Sequence, residues 1–376
     1  MTKAIYALFA GTSLLLFFLV FTNTQKINIK ANKWFSGFIA CIFFIAFDNF
    51  LYEINILRDH FFLNLIDNFC CFSIAPIFYF SVVYFTNPEK KWNTNDYFHF
   101  ITPLLVVILF IAFYFIDGFE ETFKKGNFIN NVIELVLISF LLTQLLLYPI
   151  FSYLKLLKHK KNTFLFSSNI EKIDLKWLQY VCLSIVIMIF CWSLEIILNI
   201  SEPIQNVVSP IVDTIYLLGM FFITYNWSKQ KEIYPFFSIQ SIHEVIEQNE
   251  DSNQKKKKLI DDEELLDYKH NLLQLMNQKK LFLDNELNLE KLAQELDTST
   301  HILSYIINNG FNENFYQFVN RYRIEEAKEL IQKSDHLSLL GIGFEVGFNS
   351  KTTFNTTFKK ITGKTPSEYK KMSSDL

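Results

Sequence analysis

Long uninterrupted apolar runs fill the chain as far as Trp227, and dense charge begins after Ser228. Seven runs stand out: Ala4–Phe21, Trp34–Tyr52, Leu65–Phe85, Phe98–Ile116, Val132–Leu154, Leu178–Ile200 and Val207–Trp227. Each approaches the roughly 17–25 mainly apolar residues that cross a hydrocarbon core. The third is the weakest, because Asp67, Asn68 and Pro76 interrupt it. Beyond Leu265 the apolar positions instead recur at helical spacing, in short segments ended by turn residues. The pattern predicts an all-α chain. A seven-helix transmembrane bundle spans 1–227, a polar linker 228–264, and a soluble all-helical domain 265–376.

The first run follows Lys3 and has the look of a signal peptide, but no small-x-small cleavage site comes after it, so it reads as a retained span. Basic loops stay in the cytoplasm. Lys26, Lys30 and Lys33 lie in the first loop, Lys90 and Lys91 in the third, and Lys155, Lys158, Lys160, Lys161, Lys172 and Lys176 in the fifth. The alternate segments hold only Lys3, Arg58, Lys124 and Lys125, diluted by acids. The N-terminus is therefore expected outside a cell inner membrane, and everything after Trp227 in the cytoplasm.

Composition adds little beyond this division. Hydrophobic residues make up 51% of the 376, with 42 Phe, and the net charge of −3 hides the contrast between the two parts. All five cysteines (Cys41, Cys70, Cys71, Cys182 and Cys191) lie in apolar runs and predict neither disulfides nor a metal cage. With ten glycines, scattered histidines and no nucleotide or zinc motif, no cofactor, metal or catalytic residue is expected.

Five acids fall in or beside the apolar runs: Asp48, Asp67, Glu134, Glu195 and Asp213. A carboxylate in hydrocarbon costs several kcal/mol unless paired or solvated. The orientation above puts all five toward the outer face. One reading has Asp48, Asp67, Glu195 and Asp213 line an outward pocket for an unknown signal ligand, with the repeated Asp-Asn-Phe of 48–50 and 67–69 forming part of it. The other has them reach headgroup water.

The connector holds an amphipathic stretch, Ile239–Ile246, and the run Lys255–Lys258, suited to a solvated linker, an anionic lipid surface, DNA contact or a protease site. Beyond it, one helix carries Leu265, Leu266, Leu272, Leu273 and Leu275. Leu287–Leu296, a turn at Asp297–Ser299 and a helix from Thr300 to Asn308 then form helix-turn-helix, the geometry that lays a second helix in a major groove. A longer helix, Tyr316–Lys333, leads to a second such unit: Leu337–Glu345, a turn around Gly347, and Ser350–Ile361.

Here the sequence resembles a known family. FEVGFNSKTTF over 344–354, then FKKITGKTPSEY over 358–369, is similar to the signature of AraC/XylS-type transcription regulators. NFYQFVNRYRIEEAKEL, Asn314–Leu330, resembles that family's linking helix, and Leu289–Leu303 its first helix-turn-helix. The resemblance covers about the last 110 residues. It implies binding to double-stranded DNA, and that residues before Leu265 do the sensing. Gly341 and Gly343 stand where the pattern usually has Glu and Ala. Each costs up to about 1 kcal/mol in a helix, so the second unit is expected to be loose until it meets DNA.

Facing predicts the contacts. Phe354 and Phe358 turn inward, leaving Ser350 at the helix start and Lys351, Thr352, Asn355, Thr356 and Lys359 outward. Lys351 suits guanine and Asn355 adenine, while Lys359, Lys360 and Lys364 suit phosphates. In the first unit Leu303 and Ile306 pack inward and Thr300, His301, Ser304 and Tyr305 are expected exposed, at positions that face the groove in the family. A membrane-embedded DNA-binding regulator, paired as a homodimer or single, is the leading expectation. A transporter or membrane enzyme fused to such a domain, and an anchor that releases it by proteolysis, are the alternatives.

Overall fold

In a computed structural model, the described residues are 2–23, 26–54, 56, 61–115, 128–171, 173–198, 202–230, 245, 259–333 and 337–374. They form helices throughout; outside helices and turns there is a single isolated bridge, Ser167 with Asn288, among the described residues. Two compact units result. One comprises 1–158 and 175–232, the other 159–174 and 233–376.

The first unit contains α1 (Thr2–Thr22), α2 (Ile29–Glu53), α3 (Phe61–Thr86), α4 (Ile101–Phe115), most of α5 (Phe128–Thr163), α6 (Lys176–Leu198) and α7 (Glu202–Lys229). α2 packs along both α1 and α3, α4 lies on α3, and α7 lies on α1. Their rims hold large apolar side chains in the open, such as Leu15, Phe18, Leu104, Phe151 and Phe221. Isolated exposed apolar residues are ordinary on a soluble surface, but whole helices of them are what a lipid solvent calls for. Among the described residues five helices are long and apolar enough to cross a membrane: Lys3–Thr22, Ile29–Glu53, Phe61–Thr86, Thr94–Ala112 and Leu135–Thr163. Lys176–Ile187 is a shorter apolar helix.

The second unit opens with α8 (Asp262–Lys279), which starts on a reciprocal cap: Asp261 accepts from the Glu264 amide, and the Glu264 carboxylate accepts from that of Asp261. Next come α9 (Leu289–Glu295), α10 (Thr300–Tyr305) with a wide turn of helix at Ile306–Gly310, α11 (Phe315–Lys333), α12 (Leu339–Glu345), α13 (Lys351–Thr362) and α14 (Pro366–Ser374). α11 serves two cores. Phe318, against the Phe311 ring, and Val319 are buried on one side, whereas Ile324, Ala327 and Ile331 join Ile342, Val346, Phe348, Phe354 and Phe358. The segment between α5 and α6, the lysine-bearing fifth loop of the sequence, packs within this unit. Phe166 and Ser168 are each 2% exposed. Most of the connector, including Lys255–Lys258, lies outside the described residues, as do the side chains of Glu134 and Glu195.

Candidate nucleic-acid interface

Each helix of the two helix-turn-helix units starts on a side chain that satisfies an amide the helix leaves free. Asn288 Oδ1 accepts from the Lys291 amide at 2.8 Å, and Ser299 Oγ from that of Ile302 at 3.2 Å. Ser338 Oγ accepts from Gly341 at 3.0 Å and Ser350 Oγ from Thr353 at 3.2 Å. Caps of this kind contribute about 1 kcal/mol each. The turn inside each unit passes through the left-handed region, at Asp297 (φ 53°) and at Gly347 (φ 93°). Gly347 is held to glycine twice over. A Cβ there would also sit 2.8 Å from the carbonyl oxygens of Phe282 and Leu283.

Gly343 has a different reason. A Cβ would come within 3.0 Å of the Phe354 ring, whose residue is 1% exposed and packs against Phe348 and Phe358. The glycine lets α12 approach α13 closely, and α12 is formed and capped around it.

Arg323 ties α11 to the segment before α9 and to the loop after α5. It is 1% exposed, on the inward face of α11 between Val319 and Ala327. Its Nε donates to Phe282 O at 2.7 Å, and Nη2 to Asp284 O at 2.8 Å and Ser168 Oγ at 3.0 Å. Nη1 donates to Ser168 O and Asn320 Oδ1, both at 3.3 Å. Burial lowers its pKa to about 10, opposed by Tyr316 and Asp284, so it remains a cation at neutral pH. Sequence reading assigned Arg323 no role, although a cation four residues from apolar neighbours on both sides was a legible signal of a buried node. Two positions earlier Arg321 faces outward and pairs with Glu313 at 2.9 Å.

The expected contact residues divide cleanly on α13. Lys351, Thr352, Thr356, Lys359 and Lys360 are exposed, Ser350 and Asn355 half-buried, while Phe354, Thr357 and Phe358 form the inner face. One outward stripe thus carries Lys351 and Asn355, the side chains expected to reach base edges, together with Lys359 and Lys360. In the first unit Leu303 and Ile306 are fully buried, and Thr300, His301 and Tyr305 half-buried. Ser304 departs from expectation: it is 3% exposed, its Oγ accepting from Asn308 Nδ2 at 3.3 Å. Ser304 follows the fully buried Leu303, and a partner on the same helix, Asn308, satisfies its hydroxyl there.

The acids of the first unit come together in part. Asp48 on α2 and Asp67 on α3 lie within electrostatic range of each other, and Cys71 Sγ donates to Asp67 Oδ2 at 3.8 Å. Asp213 on α7 and Tyr6 on α1 lie within electrostatic range of each other and of Glu53. Sequence reading did not single out Tyr6 and Glu53; their approach depends on how α1, α2 and α7 pack.

Residues 292–372 match the family described as helix-turn-helix domain. Over 87 residues the chain is 31% identical to an uncharacterized HTH-type transcriptional regulator in the cgkA 5' region of Pseudoalteromonas carrageenovora, a match covering 23% of this chain and 51% of that protein. Over 105 residues it is 28% identical to the uncharacterized HTH-type transcriptional regulator YdeC of Bacillus subtilis (strain 168), covering 28% of this chain and 36% of that one. A solved structure, the C-terminal domain of the two-component response regulator yesN from Fusobacterium nucleatum, is 28% identical. It covers 28% of this chain and 98% of its own, with a TM-score of 0.25, too low to bear on the fold. The chain thus spans about half or less of the length of these two curated relatives. What it shares with them is a helix-turn-helix domain of the kind carried by proteins named as transcriptional regulators.

Proposed function

We propose that this chain is a membrane-embedded, sequence-specific DNA-binding regulator of transcription. Its apolar helices cross the inner membrane seven times, the N-terminus lies outside, and the C-terminal domain reads double-stranded DNA in the cytoplasm. The observation that carries the reading is the outward stripe of α13, with Lys351, Asn355, Lys359 and Lys360 on a helix that starts in a capped, glycine-turned helix-turn-helix. Two such units on one helix, α11, are suited to successive major grooves on one face of a duplex. Lysines in the alternate loops support the orientation. The grouping of Asp48 with Asp67, and of Asp213 with Tyr6 and Glu53, supports a sensing site for an external or membrane-borne signal near the outer face.

Selection of duplexes from a random library by the intact chain in lipid nanodiscs tests this. A recurrent sequence motif is expected, with binding that weakens steeply as salt rises. Recovery of no motif, or salt-insensitive binding, would refute it.

A further inference from the structure

The geometry points to a built-in clamp: the loop between α5 and α6 docks on the DNA-binding domain in a pose that excludes a DNA phosphate from the start of α13. This rests on the DNA-binding reading and adds to it a means of regulation.

The loop makes a set of contacts that a passive connector does not need. Phe164 O accepts from the Tyr316 amide at 3.1 Å and Phe166 O from the Leu289 amide at 2.9 Å. Both donors lie in the first turn of a helix, where the helix itself supplies no acceptor. Ser168 N donates to Leu287 O at 3.3 Å, which closes a short antiparallel bridge between Ser167 and Asn288. The Phe164 ring meets Tyr316 edge-on at 4.9 Å, Phe166 is buried, and Ser168 supplies two of the acceptors of Arg323. One stretch of chain therefore ties the first helix-turn-helix to the linking helix.

Three residues further on, the loop reaches the second unit. The Glu171 carboxylate accepts from Ser350 Oγ and from Thr353 Oγ1. Ser350 caps α13, the helix whose outward stripe carries Lys351 and Asn355. The start of a helix is a favoured seat for phosphate, through its free amides and its positive end. A carboxylate seated there has the same charge as the phosphate it would meet, so the two exclude each other. The loop is continuous with α5 and α6. A rearrangement of those apolar helices that draws the loop away frees the cap, and DNA in turn favours the undocked loop, because the coupling is reciprocal.

Intact chains in nanodiscs provide the test, with a duplex enriched by selection as the probe. Glu171→Gln keeps the size of the side chain and removes its charge; it is expected to tighten binding roughly tenfold, the scale of one charge-assisted hydrogen bond. Ser167→Cys with Asn288→Cys places thiols across a pair whose Cα atoms are about 4.5 Å apart in such a ladder, within disulfide range. Oxidation is expected to lower affinity at least about tenfold on the same scale, and reduction to restore it. The Leu289 amide is expected to lose hydrogen-exchange protection when wild-type chain binds DNA. Unchanged affinity in Glu171→Gln, equal affinity of the oxidised and reduced pair, or a Leu289 amide that stays protected on DNA would each overturn the clamp while leaving DNA binding intact. If no chain enriches any duplex, the DNA-binding reading fails first and the clamp falls with it.

Discussion

Arg323→Lys is the substitution whose cost is best defined. The arginine fork makes five hydrogen bonds in a site 1% exposed, three of them to backbone carbonyls of Phe282, Asp284 and Ser168. A lysine ammonium has three donors on one atom and cannot span acceptors set around a planar fork. It reaches one or two of them, and the rest stay buried without a partner. An orphaned buried acceptor costs about 1–3 kcal/mol, so the variant loses roughly 3 kcal/mol. Apolar replacements give no relief, because three of the partners are main-chain groups and cannot be replaced along with the arginine; Arg323→Met is expected to lose as much. At about 4–8 °C per kcal/mol for a domain near 100 residues, the midpoint falls by roughly 12–24 °C. All five tryptophans lie at or before Trp227, so their fluorescence does not report this domain. Pulse proteolysis along a temperature ramp, read through an epitope behind Leu376, does. A midpoint within about 2 °C of wild type, under half the shift expected from a single kcal/mol, would refute the reasoning.

Four further outcomes follow from the same geometry. Gly347→Ala combines a φ of 93° with contacts of 2.8 Å to two carbonyls and is expected to cost more than about 3 kcal/mol, seen as loss of the folded C-terminal fragment in the same assay. Gly343→Ala gains about 1 kcal/mol of helix preference but presses on Phe354; overpacking of about 1–3 kcal/mol prevails, and a raised midpoint would contradict this. In binding assays, Asn355→Ala and Lys351→Ala relax the preference at one base pair each, about 1–3 kcal/mol, whereas Lys360→Ala weakens all duplexes alike and lowers the salt slope by about one. Alanine at Asp48, Asp67 and Asp213 abolishes the response of target-gene expression to the external signal; an unchanged response removes the outer pocket.

What the sequence made legible was local. Apolar spacing located the helices of the C-terminal domain as far as α13 but not α14, Gly347 announced a positive φ, and the inward pair Phe354 and Phe358 oriented α13. The start of α8 lay three residues earlier than its first leucine, because the capping residues Asp261 and Glu264 are polar and leave no mark on an apolar period. The facing of Ser304 was misread because a hydroxyl satisfied from the same helix, by Asn308, can be buried, and a polar letter does not show it. Gly343 looked like a weakness in a helix, and its purpose lies in a ring eleven residues away. The docked loop was illegible altogether. Phe164, Phe166 and Ser168 meet partners more than a hundred residues along the chain, and no spacing rule reaches that far. Arg323 stood between these extremes: its place on the inward face of α11 was readable, but its partners were not.

The central claim is that an odd number of crossings delivers a DNA-reading domain to the cytoplasm. A paired reporter fused behind Leu376 tests it directly, with β-galactosidase, active only in the cytoplasm, and alkaline phosphatase, active only outside it. The account predicts high β-galactosidase and negligible phosphatase activity; the reverse would place the helix-turn-helix units away from the chromosome and contradict it.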